Sequence, residues 1–188
     1  MDIIIEASAR HVHVTREHLD ILYGPGYALR NKRDLSQPGE FLTEEKLTVV
    51  GPKRSIEGIS ILGPCRKATQ VELSLTDARI LGVAPPVRLS GDVAGSAAVT
   101  LIGPAGQVTL TEGAIIAKRH IHFTPKEAAE LGVSDHAVVS VTVPGERGLT
   151  FGEVVIRVSE NFRPRMHIDF DEANAAGISG EVIGVIRK

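Results

Sequence analysis

Two hexapeptides lying 109 residues apart share one frame: Arg10-His11-Val12-His13-Val14-Thr15 and Arg119-His120-Ile121-His122-Phe123-Thr124. Each alternates polar and apolar side chains, the pattern of an extended segment, and each ends on a Thr suited to cap a helix. The chain has 7 His in 188 residues, so chance supplies only roughly a quarter of one His-x-His pair. Two pairs inside matching frames are therefore not composition noise.

Other periodicities agree. Leu47–Gly51 and Ile56–Leu62 read as a hairpin around Pro52-Lys53-Arg54, and Thr100–Pro104 with Gln107–Leu110 repeats that layout, Gly-Pro at the turn, 52 residues later. Short helices closed by Gly are expected at Asp77–Gly82, Glu127–Gly132 and Glu172–Gly177, where Gly supplies the left-handed cap conformation. A further helix is expected over Thr15–Tyr23, and strands over Asp2–Ala7, Ala137–Val143 and Glu181–Ile186. Tyr27–Phe41 reads as an ordered but irregular connection. With 20 Val, 17 Ile and only 7 aromatic residues, the composition favours many short strands over a helical bundle. The fold class expected is mainly β, small β-barrels capped by short α-helices.

A formal charge of −2 without runs of like charge lacks the basic footprint of a nucleic-acid binder. The apolar runs are far shorter than the roughly 20 residues of a membrane span. Nucleic acid and membrane are therefore not expected partners. A single cysteine, Cys65, can form no internal disulfide and suits a cytoplasmic protein.

On an extended segment alternate side chains share a face, so His11 can converge with His13 and His120 with His122. Neutral imidazole is a favoured ligand of zinc, and two imidazoles leave a tetrahedral site incomplete. Two segments can complete it: Met166-His167-Ile168-Asp169, with His167 and Asp169 on one face, and Glu72, a carboxylate in the apolar stretch Gln70–Ser74. An isolated His-x-His is more often a surface pair, and duplication in a matching frame is what argues for metal. His18 and His136 lack that frame and read as surface residues. Cys65 reads as a small core side chain, with no activating His or acid at a motif spacing.

With Asp34–Gly39, Leu62–Arg66, Thr69–Glu72, Pro86–Arg88, Gly145–Gly148 and Met166–Gly177, these hexapeptides form an ordered set in which the chain resembles the phosphate propanoyltransferase family of phosphotransacylases. The resemblance implies acyl transfer, of a propanoyl or acetyl group, between coenzyme A and inorganic phosphate, so that acyl-CoA, phosphate and acyl phosphate are the expected partners. It implies two zinc ions per chain, one held by His11, His13 and Glu72 nearer the coenzyme A sulfur, the other by His120, His122 and His167, with Arg66 facing phosphate. It also implies two barrels that are not sequential halves, residues 1–9 with 118–188 and residues 10–117, and a metal site in the cleft between them. Some relatives begin with an amphipathic segment directing them into microcompartments. This chain opens at its first strand, so a cytoplasmic location without that signal is expected.

Two other classes fit the histidines alone: a two-metal thioester or phosphoester hydrolase, using water where a transferase uses phosphate, and a metal-binding structural module without turnover. Phosphate dependence and turnover separate the three.

Overall fold

The computed structural model describes residues 1–188. In chain order the elements are β1 (Asp2–Ser8), β2 (His11–His13), α1 (Arg16–Tyr23), β3 (Asn31–Asp34), β4 (Phe41–Val50), β5 (Ser55–Gly63), β6 (Gln70–Glu72), α2 (Leu75–Leu81), β7 (Val87–Arg88), β8 (Ala97–Ile102) and β9 (Gln107–Ala117). They continue with β10 (His120–Phe123), α3 (Pro125–Leu131), β11 (Val138–Val143), β12 (Leu149–Val158), β13 (Arg165–Asp169), α4 (Phe170–Ala176) and β14 (Val182–Arg187). The chain divides into two compact units: residues 1–9, 36–38 and 118–188, and residues 10–35 and 39–117. Both are closed six-stranded β-barrels carrying short helices, the mainly β class that the sequence implies.

In the unit of residues 10–35 and 39–117, the ring runs β4-β5-β2-β6-β9 and closes through β8, which pairs with both β4 and β9. The short β2 lies antiparallel to β6 and parallel to β5, while β6 lies parallel to β9. Val12, Val14, Leu47, Val49, Ile61 and Leu101 fill the interior. Alternation then sends His11 and His13 to the face opposite Val12. The two Gly-Pro turns have one physical cause. Each receives the end of a helix: the Lys53 N–H donates to the Leu81 carbonyl at 2.9 Å, and the Ala105 N–H to the Leu22 carbonyl at 3.0 Å. A Cβ on Gly103 would sit 2.9 Å from Leu22 Cβ and closer still to its carbonyl oxygen, and Gly51 meets Leu81 in the same way.

One expectation is corrected here. The Tyr27–Phe41 connection contains a strand, β3, paired with β4. All four of its residues are exposed, so it carries no apolar alternation by which to read it. Helices α2 and α4 also start earlier than expected, because Ser74 and Asp169 cap them.

In the other unit the ring is β1-β13-β10-β12-β11-β14, around Ile5, Ile121, Phe123, Val141, Ile156 and Met166. The N-terminal strand β1 lies parallel to β13 and antiparallel to β14. Residues 36–38 belong to this unit through Gln37, whose amide both donates to the Arg163 carbonyl at 3.0 Å and accepts from the Arg163 N–H at 3.1 Å.

Each barrel repeats one motif twice: strand, helix, then two antiparallel strands, the last of which lies parallel to the first. In the second copy of the second barrel described, that last strand is β1, supplied by the chain's start. The hexapeptide frame accordingly occurs four times, at residues 10–15, 69–74, 119–124 and 164–169. Its sixth residue caps the following helix in every copy: Thr15, Ser74, Thr124 and Asp169. In the last three, the third helical residue returns a carboxylate to the cap's backbone N–H, from Asp77, Glu127 and Glu172.

Candidate functional site

The two hexapeptide strands of each barrel pair antiparallel, and that register assembles the candidate ligands. In the 10–35/39–117 unit His11 lies opposite Glu72 and His13 opposite Gln70. The ligand atoms of His11, His13 and Glu72 all fall within 4.8 Å of one another. His11 Nε2 is 3.1 Å from His13 Nε2 and 3.5 Å from Glu72 Oε2, and His13 Nε2 is 3.9 Å from Glu72 Oε1. Tetrahedral zinc with nitrogen and oxygen ligands at about 2.0–2.1 Å spaces neighbouring donors by about 3.3 Å, which the three separations bracket. Two neutral imidazoles can share one proton across 3.1 Å, but a third, anionic donor converging on the same point is the donor set of a cation site. These residues fit a metal such as zinc.

The electrostatics favour metal-competent forms. Burial holds His13 well below the ordinary imidazole range, aided by the charges of His11 and Arg66 and opposed by Glu72, so it stays neutral. Its Nδ1 is buried beside the Leu62 backbone without a hydrogen bond of good geometry. Burial opposes ionisation of Glu72, and the charge and hydrogen bond of His11, with the hydrogen bond of Ser90, outweigh it, leaving the carboxyl far below the usual range.

Two side chains that the sequence did not single out hold Glu72 in place. Gln70 Nε2 donates to Glu72 Oε1 at 2.6 Å and to Ser90 Oγ at 2.9 Å, while its own Oε1 accepts from the Gly91 N–H at 2.7 Å. Arg66 Nη1 reaches the same Ser90 Oγ at 3.3 Å, and Nη2 pairs with Glu40 Oε1 at 2.7 Å. Arg66 is thus tied through Ser90 to the cluster and keeps a third of its side chain exposed. The signal for Gln70 lay in its two-residue spacing from Glu72. Ser90 sits in a loop and had none.

In the other unit His120 lies opposite His167, and His122 opposite Arg165. The three rings pack together: His120 stacks on His167 with centroids 5.4 Å apart, and His122 stands edge-on to both, at 4.7 and 5.0 Å. His120 Nδ1 is 2.9 Å from the Lys118 carbonyl, which fixes the proton on Nδ1 and turns the Nε2 lone pair outward. Glu6, opposite His167 on the parallel strand β1, was not anticipated. Its Oε2 lies 4.0 Å from His167 Nε2 and accepts from Ser36 Oγ at 2.6 Å, while Oε1 accepts from Arg165 Nε at 2.9 Å.

The remaining candidates stand elsewhere. Asp169 caps α4, accepting from the Glu172 N–H at 2.8 Å. His136 is exposed beside Asp135. His18, read as a surface residue, is instead half-buried, with Nδ1 2.7 Å from Thr69 Oγ1. Cys65 packs against the barrel core.

The profile of the phosphate propanoyltransferase family matches residues 4–179. The chain is 50% identical over 185 residues to the phosphate propanoyltransferase of Clostridioides difficile, covering 98% of this chain and 88% of that protein. The phosphate propanoyltransferases of Listeria monocytogenes and Thermotoga maritima are likewise 50% identical, each over 98% of this chain and over 86% and 89% of their own lengths. Such full-length likeness, over a chain whose repeated strands assemble the histidines, means that the protein belongs to the phosphate propanoyltransferase family of acyltransferases.

Proposed function

We propose that the chain transfers a short acyl group, propanoyl or acetyl, reversibly between coenzyme A and inorganic phosphate at two zinc ions, one held by His11, His13 and Glu72 and the other by His120, His122 and His167. The observation that carries the metal reading is the convergence of His11, His13 and Glu72 within 4.8 Å in a chain of this family. Bound zinc would accept the thiolate sulfur of coenzyme A and offset the charge of phosphate. The protein's own groups do the rest. Arg66 presents a guanidinium fork to phosphate, exchanging its contact with Glu40 for charge-assisted bonds to the anion. Gln70 keeps the Glu72 carboxylate turned to His11 and His13. Neutral His13 keeps its ring available without first losing a proton.

The reaction balances as a direct displacement: a phosphate oxygen bonds to the thioester carbonyl carbon, the C–S bond breaks, and coenzyme A departs as thiolate. Cys65, half-buried against the core, takes no part, and trapping an acyl group on it during turnover would refute direct displacement. The test follows coenzyme A release from propanoyl-CoA and acetyl-CoA with and without phosphate, on protein whose zinc content is measured. Phosphate-dependent release with about two zinc per chain, abolished by a chelator, is expected. Release indifferent to phosphate would mark a hydrolase, and bound zinc without release a binding module.

A further inference from the structure

The arginine that opens each His-x-His hexapeptide plays no part in the chemistry above, yet both copies make the same contact. Arg10 Nη1 donates to Asp77 Oδ1 at 2.6 Å, and Arg119 Nε faces Glu172 Oε1 at 3.3 Å. Asp77 and Glu172 occupy the same place in their copies of the motif: each lies five residues after the third candidate ligand, Glu72 or His167, in the first turn of the following helix. The geometry is a consequence of register. With His11 opposite Glu72 and His120 opposite His167, the first residue of one hexapeptide comes level with the start of the partner's helix. His18 and Thr69 make the reciprocal crossing, Nδ1 to Oγ1 at 2.7 Å.

In each pair a partly exposed arginine, 43% for Arg10 and 31% for Arg119, reaches a more buried carboxylate, unlike an ion pair exposed at both ends. The Asp77 side chain is 5% exposed and that of Glu172 21%, and both carboxylates are also committed to capping boxes. The two barrels have diverged elsewhere, with Asp77 against Glu172 and Glu72 against His167, while the arginine-to-helix tie is present in each.

We propose that Arg10–Asp77 and Arg119–Glu172 are positioning pairs, each fixing the span between a His-x-His strand and the strand that carries the third metal ligand, and each acting on the site of its own barrel. The inference rests on the metal reading above. Its content is site selectivity, which a general contribution to folding does not produce.

Zinc affinity measured by competition with a chromophoric chelator tests it, using Arg10→Met and Arg119→Met, which keep the apolar stem. His120→Ala leaves only the His11 site for measurement, and His11→Ala only the His120 site. In His120→Ala, adding Arg10→Met is expected to weaken the remaining site about tenfold to a hundredfold, the range for groups that orient metal ligands, while adding Arg119→Met leaves it unchanged. In His11→Ala the two substitutions exchange effects. Arg10→Lys is expected to recover most of the loss, since one donor suffices for the single Arg10 contact. Should Arg10→Met not fold, Asp77→Asn removes the charge and keeps an oxygen for the Ser74 cap, and is expected to weaken the His11 site alone. Unchanged affinities, or both sites weakening together, would overturn the proposal. A wild-type chain that binds no zinc would instead overturn the metal reading.

Discussion

Glu72→Gln separates the loss of the proposed metal ligand from the loss of the fold. The Gly91 N–H can only donate, so the Gln70 atom it contacts at 2.7 Å is the amide oxygen, and the Gln70 NH2 therefore faces Glu72 Oε1 at 2.6 Å. A glutamine at position 72 must answer with its own oxygen. Its NH2 then takes the place of Oε2, 3.5 Å from His11 Nε2, and an acceptor aimed into the cluster becomes a donor. In the metal-free chain the Gln70 contact is kept and one contact to His11 changes, so stability is expected to change by about 1 kcal/mol, the net worth of one hydrogen bond. With zinc the outcome differs. Four-ligand structural sites bind with about 10–16 kcal/mol, so one ligand of four contributes about 2.5–4 kcal/mol, roughly two to three powers of ten in dissociation constant. Zinc titration against a chelator, with denaturant unfolding of the metal-free protein, measures both. One ion lost or weakened at least about a hundredfold, in a chain of near wild-type stability, is the expected result. Wild-type affinity for two ions in Glu72→Gln would refute the assignment of Glu72 as a ligand.

Arg66→Met is expected to raise the KM for phosphate tenfold or more, from the loss of charge-assisted bonds worth about 1.5–3 kcal/mol, and to leave the KM for acyl-CoA nearly unchanged; initial rates against phosphate concentration check it. The depressed proton affinity of His13 means that the unfolded chain takes up the proton first, near pH 6.5, so its contribution to stability is full above that pH and declines below it. Unfolding of the metal-free protein between pH 7.5 and 5.5 should show wild type losing about 1.4 kcal/mol more than His13→Gln, and a constant difference would contradict the neutral, buried ring. Gly103→Ala should cost about 1–3 kcal/mol by driving a methyl into the Leu22 backbone, lowering Tm by roughly 2–4 °C per kcal/mol. Gly152→Ala, where nothing lies within 4 Å, is the neutral control.

What was legible in the sequence follows from which forces act locally. The caps, the Gly-closed helices and the hairpin turns were readable because each depends on a few consecutive residues whose backbone requirements are strict, as at Gly82, Gly132 and Gly177 with positive φ. Strand β3 was not, since an edge strand with four exposed residues has no apolar face to betray it. His18 was misread because the partner that half-buries it, Thr69, is 51 residues away. Gln70 had a local signal in its spacing from Glu72, but Ser90 had none: its hydrogen bonds with Gln70 and Arg66 are made by loop closure, which no short window contains.

The repeat itself was only half visible, and the reason bears on how the site works. The hexapeptides at 10–15 and 119–124 stood out because both carry the same two histidines. Those at 69–74 and 164–169 share the frame but have Gln70 and Glu72 in one and Arg165 and His167 in the other. Their helix-capping residue persists as Ser74 and Asp169, because the strand-to-helix junction demands an acceptor there. The second and fourth positions face away from the core, with Val71, Leu73, Met166 and Ile168 buried beneath them, so packing leaves their chemistry free. Each barrel therefore pairs a His-x-His strand with a divergent one, and the antiparallel register, with His11 at Glu72 and His120 at His167, makes the third donor the variable member of the trio. The divergent strand thus brings a carboxylate to one cluster and an imidazole to the other, so the two sets of donors differ in charge.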